Sequence, residues 1–414
     1  MCLTTSGGLP LFTRKKGEGE PLPFSQVASL NGVHMFGKSQ SIVLKNTSTQ
    51  ETTVVWRVKE ESVTLIAAAC GASEMLLDQL LTSVFNAMIM AVGIEELKSP
   101  RNADRLKRDL RICYPILDRL LESADTTSSD RAVTCSDLLG LVEVMLCQEN
   151  HILQNLLDAW AECVDSLYAF LMIRGRVAVA TPSWWSLHSE EKKLLALLVL
   201  QDGTCTASDI PVFLPCKSPA VPFRLVVCML MAGVQVCALC GPSPTLTEVE
   251  HASLQCWKGA VDVLRAAEQC HPRNFSSSIQ LDTGVMGLLL VDRQTGKFLL
   301  SRNQKTDAGK KEARSLSGAH RIDVLRTFYH QVAATFMNYY SSETSTEETE
   351  TTEKSTMSIA QETYWCSEYH KCHALCHGST LLCVLYASAV PIHTMRLITR
   401  RTLKFLTSDK QLCW

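Results

Sequence analysis

Apolar and polar positions follow two different periods along this chain, and the change from one to the other marks its elements. Phe24, Val27 and Leu30 recur at helical spacing, and a richly apolar helical pattern covers 73–97. Between these helices lie β-branched runs separated by polar turns, which is typical of strands. The strands predicted there are Ile42–Leu44, Thr52–Trp56 and Val63–Ile66.

The same order of elements returns twice further along the chain. Each round has a hairpin at a glycine (Gly8, Gly175 and Gly296), then a helix, further strands and a closing helix. Such a unit places an antiparallel sheet against helices, so the predicted fold class is α+β with three similar domains. Further strands are predicted at 167–173, 176–181, 210–214, 222–232, 234–240, 285–292, 298–300 and 381–386, and further helices at 137–163, 184–201, 245–269 and 392–406.

Domain boundaries are predicted from the polar stretches between these units. The first domain is 1–124, the second 166–272 and the third 273–414, and 125–165 is a linker with a connecting helix. Inside the third domain, residues 341–361 are rich in Ser, Thr and Glu with few apolar residues, which predicts a disordered acidic loop.

Composition narrows the class of protein. Of the 414 residues, 46% are hydrophobic and 20% charged, and the net charge of −2 with scattered Lys and Arg argues against nucleic acid as a partner. The 18 cysteines lie mostly within apolar runs, and the first residues lack the basic start and apolar run of a signal peptide. A cytoplasmic, reduced protein is expected. The apolar run Leu225–Gly241 predicts two strands folded at Gly233 and not a membrane helix.

One stretch, Gly32-Val-His-Met-Phe-Gly-Lys-Ser39, fits the phosphate-loop pattern G-x-x-x-x-G-K-[ST]. A working phosphate loop follows a strand and opens a helix, whereas here a helical pattern precedes the motif and the predicted strand Ile42–Leu44 follows it. We interpret the motif as the turn from helix to strand. The alternative is a nucleotide-binding hydrolase that uses Lys38.

Two groups of metal- and redox-type residues have structural alternatives. The cluster Cys366, His370, Cys372, His373, Cys376 and His377 suits zinc, but alternation along a strand would send neighbours to opposite faces, so a strand pair is favoured. Cys237-Ala-Leu-Cys240 is a C-x-x-C motif, yet it ends an apolar strand instead of opening a helix. No metal, cofactor or catalytic residue is expected.

Two surface hypotheses remain open at this point. Trp184-Trp185 is either a recognition patch or, as aromatic pairs at the start of apolar helices usually are, part of the core. The basic face of the last helix either contacts an anionic membrane or is simply solvated. Its residues are Arg396, Arg400, Arg401 and Lys404.

Several short stretches of the sequence resemble the Fuzzy family of planar cell polarity effectors, which is similar to tri-longin proteins. The resemblance covers residues 9 to about 250 well and the rest thinly. It implies three longin-like domains, each of two strands, a helix, three strands and two helices. The first strand is then short or missing, and the third domain departs most from the pattern. The matching stretches are Leu30–Gly37, Thr53–Trp56, Val92–Leu97, Arg101-Asn102, Arg105–Lys107, Gly175–Val177, Trp184-Trp185, Pro211-Val212, Leu214-Pro215 and Leu239–Pro244.

The resemblance also implies a role and partners. It implies a non-catalytic adaptor that pairs with Inturned, joins the WD-repeat protein Fritz in the ciliogenesis and planar polarity effector assembly, and acts on Rab-type small GTPases as a subunit in nucleotide exchange. The implied location is the cytoplasm and cytoskeleton at the base of the cilium. An open sheet edge in the first domain is the expected partner site. Its predicted residues are Phe24, Val27, Leu30, Val33, Ile42, Val43 and Leu44.

Overall fold

Three sheets with one strand order form the framework of the protein. The computed structural model describes residues 1–5, 7–17, 22–100, 102–124, 140–200, 206–276, 279–302, 318–343, 361–408 and 414. In each sheet the first strand lies between the second and the fifth, and the third strand forms the far edge. The predicted α+β class is therefore confirmed, with an antiparallel hairpin, a helix, a three-stranded meander and closing helices in each domain.

Three strands of the first domain are only three residues long. Its sheet has the order β2-β1-β5-β4-β3, and Gly8 turns the first hairpin with a positive φ of 63°. The first strand is three residues long, so the expectation that it is short is confirmed. The elements are β1 Cys2–Thr4, β2 Pro10–Phe12, α1 Phe24–Ser39, β3 Asn46–Ser48, β4 Thr52–Lys59, β5 Val63–Cys70, α2 Glu74–Val92, α3 Ile94–Lys98, α4 Ala103–Asp109, a 3₁₀ turn Leu110–Cys113 and α5 Tyr114–Ala124.

The second domain repeats this order with longer strands. The predicted fold-back of the apolar run is confirmed, because β10 and β11 pair as a hairpin at Gly233, where φ is 79°. Its helix α8 starts with a capping box from His188 and Glu191. In this box each side chain accepts a hydrogen bond from a backbone N–H group at the start of the helix. The elements are α6 Asn150–Cys163, β7 Tyr168–Ile173, β8 Arg176–Ala180, α7 Pro182–Trp185, α8 Ser189–Val199, β9 Ala207–Leu214, β10 Ser218–Met231, β11 Val234–Cys240, α9 Leu246–Trp257 and α10 Val261–Glu268.

The third domain has a sixth strand from outside the repeat. β6 pairs in parallel with β13, and the residues that follow it reach the second domain, where Val144 bridges to Val177. The segment thus joins the two sheets. The elements are β6 Val142–Glu143, β12 Val285–Asp292, β13 Lys297–Arg302, α11 Gly318–Glu343, β14 Glu362–Cys366, β15 His370–His377, β16 Thr380–Ala387 and α12 Ile392–Ser408.

One hydrophobic core runs through all three domains. It takes α2 and α5 from the first domain, α8 from the second and α12 from the third, together with one face of each sheet. The opposite faces carry separate clusters under α1, under α6, α9 and α10, and under α11. Within the described residues, one helix, Glu74–Val92, is long and apolar enough to span a membrane. Over half of that window is buried, as expected for a helix at the centre of this core.

Two predicted elements are wrong. The helix predicted from residue 137 begins at Asn150, and 142–146 is extended instead, because its backbone bonds to distant segments: the N–H of Val144 donates to Phe298 O (2.9 Å) and the N–H of Leu146 to Asn274 O (2.9 Å). The strand predicted at Ile42–Leu44 lies four residues later, at β3, so 42–44 is a loop.

The predicted acidic loop at 341–361 falls mostly outside the described residues. Residues 341–343 are the end of α11, which contradicts the predicted start of the loop. Residues 344–360 lie outside the described part of the chain, as do 125–139 of the predicted linker. The Cys/His stretch that follows forms β14 and β15, so the third domain keeps the strands of its meander although its sequence departs most from the pattern.

Candidate partner-binding site

Helix α1 covers the outer face of the first sheet with a thin layer of contacts. Val27 packs on Trp56 and Ile66 in a small cluster of the first domain, separate from the shared core. The indole N–H of Trp56 donates to the carbonyl of Leu30 (3.3 Å), which ties the helix to β4. Only Val27 and His34 of the helix are buried.

The outward side of α1 and the loop after it are apolar. Phe24 is 73% exposed, Val33 58% and Phe36 69%. In the loop, Ile42 is 61% and Val43 75% exposed. Isolated exposed apolar residues are common on proteins, and several on one helix and its adjoining loop make this region the candidate for a partner-binding surface. We call these five residues the α1 patch.

A groove opens next to the patch where the loop 42–45 enters β3. β3 pairs with only three residues of β4, and beyond that pairing the N–H of Trp56 donates to Lys45 O (2.9 Å) in this loop. The resulting groove has a volume of about 300 Å³. Its lining is mainly apolar with a basic rim and consists of His34, Val43, Leu44, Lys45, Trp56, Arg57 and Val58.

His34 is the polar group at the base of this groove. Its side chain is 4% exposed, and neither ring nitrogen has a hydrogen-bond partner among the described residues. Burial, with a smaller contribution from the nearby Lys38 ammonium, lowers the pKa of His34. The ring is therefore neutral near pH 7, with one N–H donor and one acceptor nitrogen that are both buried and unsatisfied among the described residues.

The structure places the predicted site residues in three environments. Phe24, Val33, Ile42 and Val43 are exposed, whereas Leu30 and Leu44 are half-buried against the α1 cluster. Val27 is buried beneath the helix and cannot itself face a partner in this conformation. Phe36 was missed, although its position three residues after Val33 gives the helical spacing that would have found it. The partner role of the set stays a prediction.

The phosphate-loop interpretation and the turn interpretation of Gly32–Ser39 are both wrong. The stretch is the second half of α1, so its N–H groups are used in helical bonds. It also lies at the C-terminal end of the helix, where the macrodipole is negative and repels phosphate. Lys38 in the last turn fits that end as a counter-charge. The helix continues through both glycines because its inner side is held to the sheet.

The other candidate sites form parts of the fold. In β11 the side chains of Cys237 and Cys240 point to opposite faces, one into the shared core and one into the cluster under α6 and α9, so the C-x-x-C cannot close. The predicted strand pair at 366–377 is confirmed. The described residues contain no group of three or more potential metal ligands. Trp184 is fully buried and stacks on Phe170 (5.0 Å between centroids), so the core interpretation is confirmed.

The basic face of α12 is partly neutralised. Arg396 and Arg400 both form ion pairs with Glu362 of β14. Arg401 and Lys404 point outward and are exposed. An anionic surface would therefore meet two of the four cations first, and the other two only in competition with Glu362.

Comparison with known proteins identifies the family. The chain matches the first, second and third longin domains of FUZ, MON1 and HPS1 over residues 1–120, 164–258 and 284–410. It is 36% identical to "Protein fuzzy homolog" of Xenopus tropicalis over 424 aligned positions, which cover 99% of this chain and 97% of the relative. It is 39% identical to "Protein fuzzy homolog" of Homo sapiens, over 81% of this chain and 78% of that protein.

The chain belongs to the Fuzzy family of longin-domain proteins. The resemblance found in the sequence is thereby confirmed, including for the third domain, where the fewest sequence stretches matched. The three matched ranges each contain the five repeated strands of one sheet, and β6 lies outside them. The family places the protein among planar cell polarity effectors.

Proposed function

We propose that this protein is a non-catalytic adaptor that pairs with Inturned through the outer side of its first longin domain. The observation that carries the proposal is the α1 patch, which lies beside the groove at His34 and the free edge of β3. The partners themselves come from the family resemblance, which implies Inturned, the WD-repeat protein Fritz and Rab-type small GTPases.

The geometry supports a partner that supplies both apolar side chains and backbone. The outer edge of β3 has no further strand beside it among the described residues, so its backbone is open to pairing. The patch provides apolar area next to this edge, and Phe24, Phe36 and Val43 are its most exposed members. An apolar side chain of the partner would fill the groove, and a polar group beside it would bond to the neutral ring of His34.

The wider role follows from the same adaptor function. Paired with Inturned and joined by Fritz, the protein would act on a Rab-type GTPase in nucleotide exchange during cilium assembly, at the basal body. The exposed Arg401 and Lys404 of α12 would give the assembly a contact with an anionic membrane. The proposal assigns no reaction chemistry to the chain itself and requires no cofactor.

A single charge in the patch tests the pairing. Val43→Asp places a carboxylate in the centre of an apolar contact, where it would be desolvated without a partner. We expect at least a tenfold loss of co-purified Inturned, measured with both full-length chains co-expressed. Because Val43 is exposed, the melting temperature of the variant alone should stay within about 2 °C of wild type.

Leu254→Asp is the matched control. Leu254 lies on α9 of the second domain and is 73% exposed, so the two substitutions change exposed apolar area by similar amounts. Wild-type pairing in this variant together with lost pairing in Val43→Asp supports the assignment. Unchanged pairing in Val43→Asp, or an equal loss in both variants, would sink it.

A further inference from the structure

Two cysteine thiols face each other between two helices of the second domain. Cys163 is the last residue of α6, and Cys256 lies near the end of α9. Their sulfur atoms are 4.0 Å apart, although the residues are 93 positions apart in the chain. The contact is remote from the α1 patch and independent of the proposed function.

The register of the two helices is fixed one turn before the thiols. The indole N–H of Trp160 donates to the hydroxyl of Ser253 (3.0 Å), and both residues are buried. Trp160 precedes Cys163 by three residues, and Ser253 precedes Cys256 by three. Residues three apart lie on the same side of a helix, so this buried bond holds the thiols opposite each other.

The pair combines access with proximity. Cys163 is exposed and Cys256 half-buried, so an oxidant in solution reaches the first sulfur directly. A disulfide has an S–S distance of about 2.05 Å, so the two sulfurs must approach by roughly 2 Å for the bond to form. By contrast, Cys237 and Cys240 are buried and separated by the sheet.

We propose that Cys163 and Cys256 form a reversible disulfide that staples α6 to α9 when the protein meets a peroxide. In the first step the Cys163 thiolate attacks hydrogen peroxide, giving a sulfenic acid and releasing hydroxide. In the second, the Cys256 thiolate attacks that sulfur and displaces a second hydroxide. With the two thiol protons the sum is two thiols and one peroxide to one disulfide and two waters. A thiol reductant such as glutathione reverses it.

The closing step should depend on pH in a defined direction. Burial, followed by the neighbouring Cys163, raises the pKa of Cys256 above its usual value of 9.0. Only the thiolate attacks, so the rate of closure rises with pH between about 7 and 9. The closed bond would fix the helix layer on the outer face of the second sheet, where Trp160 and Ser253 already join the two helices.

The test is to map thiols in the purified full-length chain. The reduced protein is treated with stoichiometric hydrogen peroxide, blocked with N-ethylmaleimide, digested and examined by mass spectrometry. We expect a peptide pair linked through Cys163 and Cys256, removed by dithiothreitol, and a melting temperature about 5 °C or more above that of the reduced protein. Cys147 and Cys270 are a second pair of thiols in contact. Linkage of that pair alone, or over-oxidised Cys163 with unmodified Cys256, would overturn the proposal.

Two variants separate the staple from general thiol chemistry. In Cys256→Ser the sulfenic acid has no thiol to react with, so dimedone labelling at Cys163 should rise at least fivefold over wild type. Cys216→Ser removes another exposed thiol of the same domain and should leave the crosslink unchanged. Equal dimedone labelling in wild type and Cys256→Ser would contradict the closing step. Both variants substitute residues outside the fully buried core, and their melting temperatures under reductant report whether they fold as wild type.

Discussion

Helices α1 and α8 occupy the same position in the repeated fold but opposite environments. Each follows the first hairpin of its domain and precedes the three-stranded meander. α8 is enclosed by the shared core, with nine of its eleven residues buried, whereas α1 buries two of sixteen. The repeated topology therefore does not decide what a helix does. The inner copy joins domains, and the outer copy leaves apolar area for a partner.

The two helices also differ in the hydrogen bonds made by their buried polar groups. The N-terminal turn of α8 buries Glu191, whose carboxylate accepts bonds from its own cap at His188 and from the N–H groups of Cys216 and Lys217 (2.8 and 2.9 Å). A buried carboxylate is tolerated because these donors replace water. On α1 the buried polar group is His34, which has no such partners among the described residues. The buried polar group of α8 has all its hydrogen bonds from this chain, whereas that of α1 has none among the described residues.

The largest expected effect is a truncation in the inner helix. Leu195→Ala removes a fully buried side chain from the shared core and should lower the free energy of unfolding by about 3 kcal/mol. Val33→Ala on α1 removes a side chain that is mostly in water and should change it by less than about 0.5 kcal/mol. Urea unfolding of both variants under reductant makes the comparison. Equal losses would mean that α1 contributes to the core as α8 does.

The second expected effect is a pH dependence that originates in α8. Burial, with a contribution from nearby Lys297, lowers the pKa of Lys192 from 10.5 to about 8, against smaller opposing contributions from Asp292 and Glu191. Because the folded pKa lies below the unfolded one, the unfolded chain binds more protons between about pH 8 and 10.5. The contribution of Lys192 to stability should therefore rise with pH in that window, by about 2 kcal/mol from pH 8 to 10, against an opposing loss from buried cysteines such as Cys2, Cys113 and Cys383, whose thiol pKa burial raises.

Urea unfolding at the two pH values measures this slope. Relative to wild type, Lys192→Met should lose about 2 kcal/mol more stability between pH 8 and pH 10. The variant also leaves the carbonyls of Trp185 and Thr295 without the ammonium they accept from (2.8 and 2.6 Å) and so starts less stable. Lys38→Met on the exposed end of α1 should keep the wild-type slope. The same slope in Lys192→Met as in wild type would contradict the assignment to Lys192.

Sequence patterns predicted those elements whose partners are near in the chain. The hairpin at Gly233 follows from two apolar runs around one turn residue, and its register is almost unbroken. The 142–146 segment was missed because its partners lie at Val177, Asn274 and Phe298, and nothing in a local period identifies them. Its short apolar run fits a helix equally well until those distant partners are known.

The candidate site was predicted in part for a related physical reason. Helical spacing located α1, but spacing does not say which side of the helix meets the sheet, so buried Val27 and exposed Phe24 were grouped together. The end of the helix was missed because two glycines and a β-branched run favour a turn and strand locally. Packing on Trp56 and Ile66 outweighs that preference.

Gly32→Ala carries the smallest expected effect and tests the outer helix most directly. A Cβ at Gly32 has no atom within 4 Å, and glycine within a helix is less stable than alanine by about 0.5–1 kcal/mol, so the variant should gain that amount of stability. Gly37→Ala should gain less, because its Cβ would lie 3.4 Å from the carbonyl of Ile42. Gly93→Ala should lose stability, since φ is +80° there and the new Cβ would lie 2.9 Å from the ring of Phe213. A loss in Gly32→Ala would show that this stretch needs a glycine backbone, as a loop does and a helix does not.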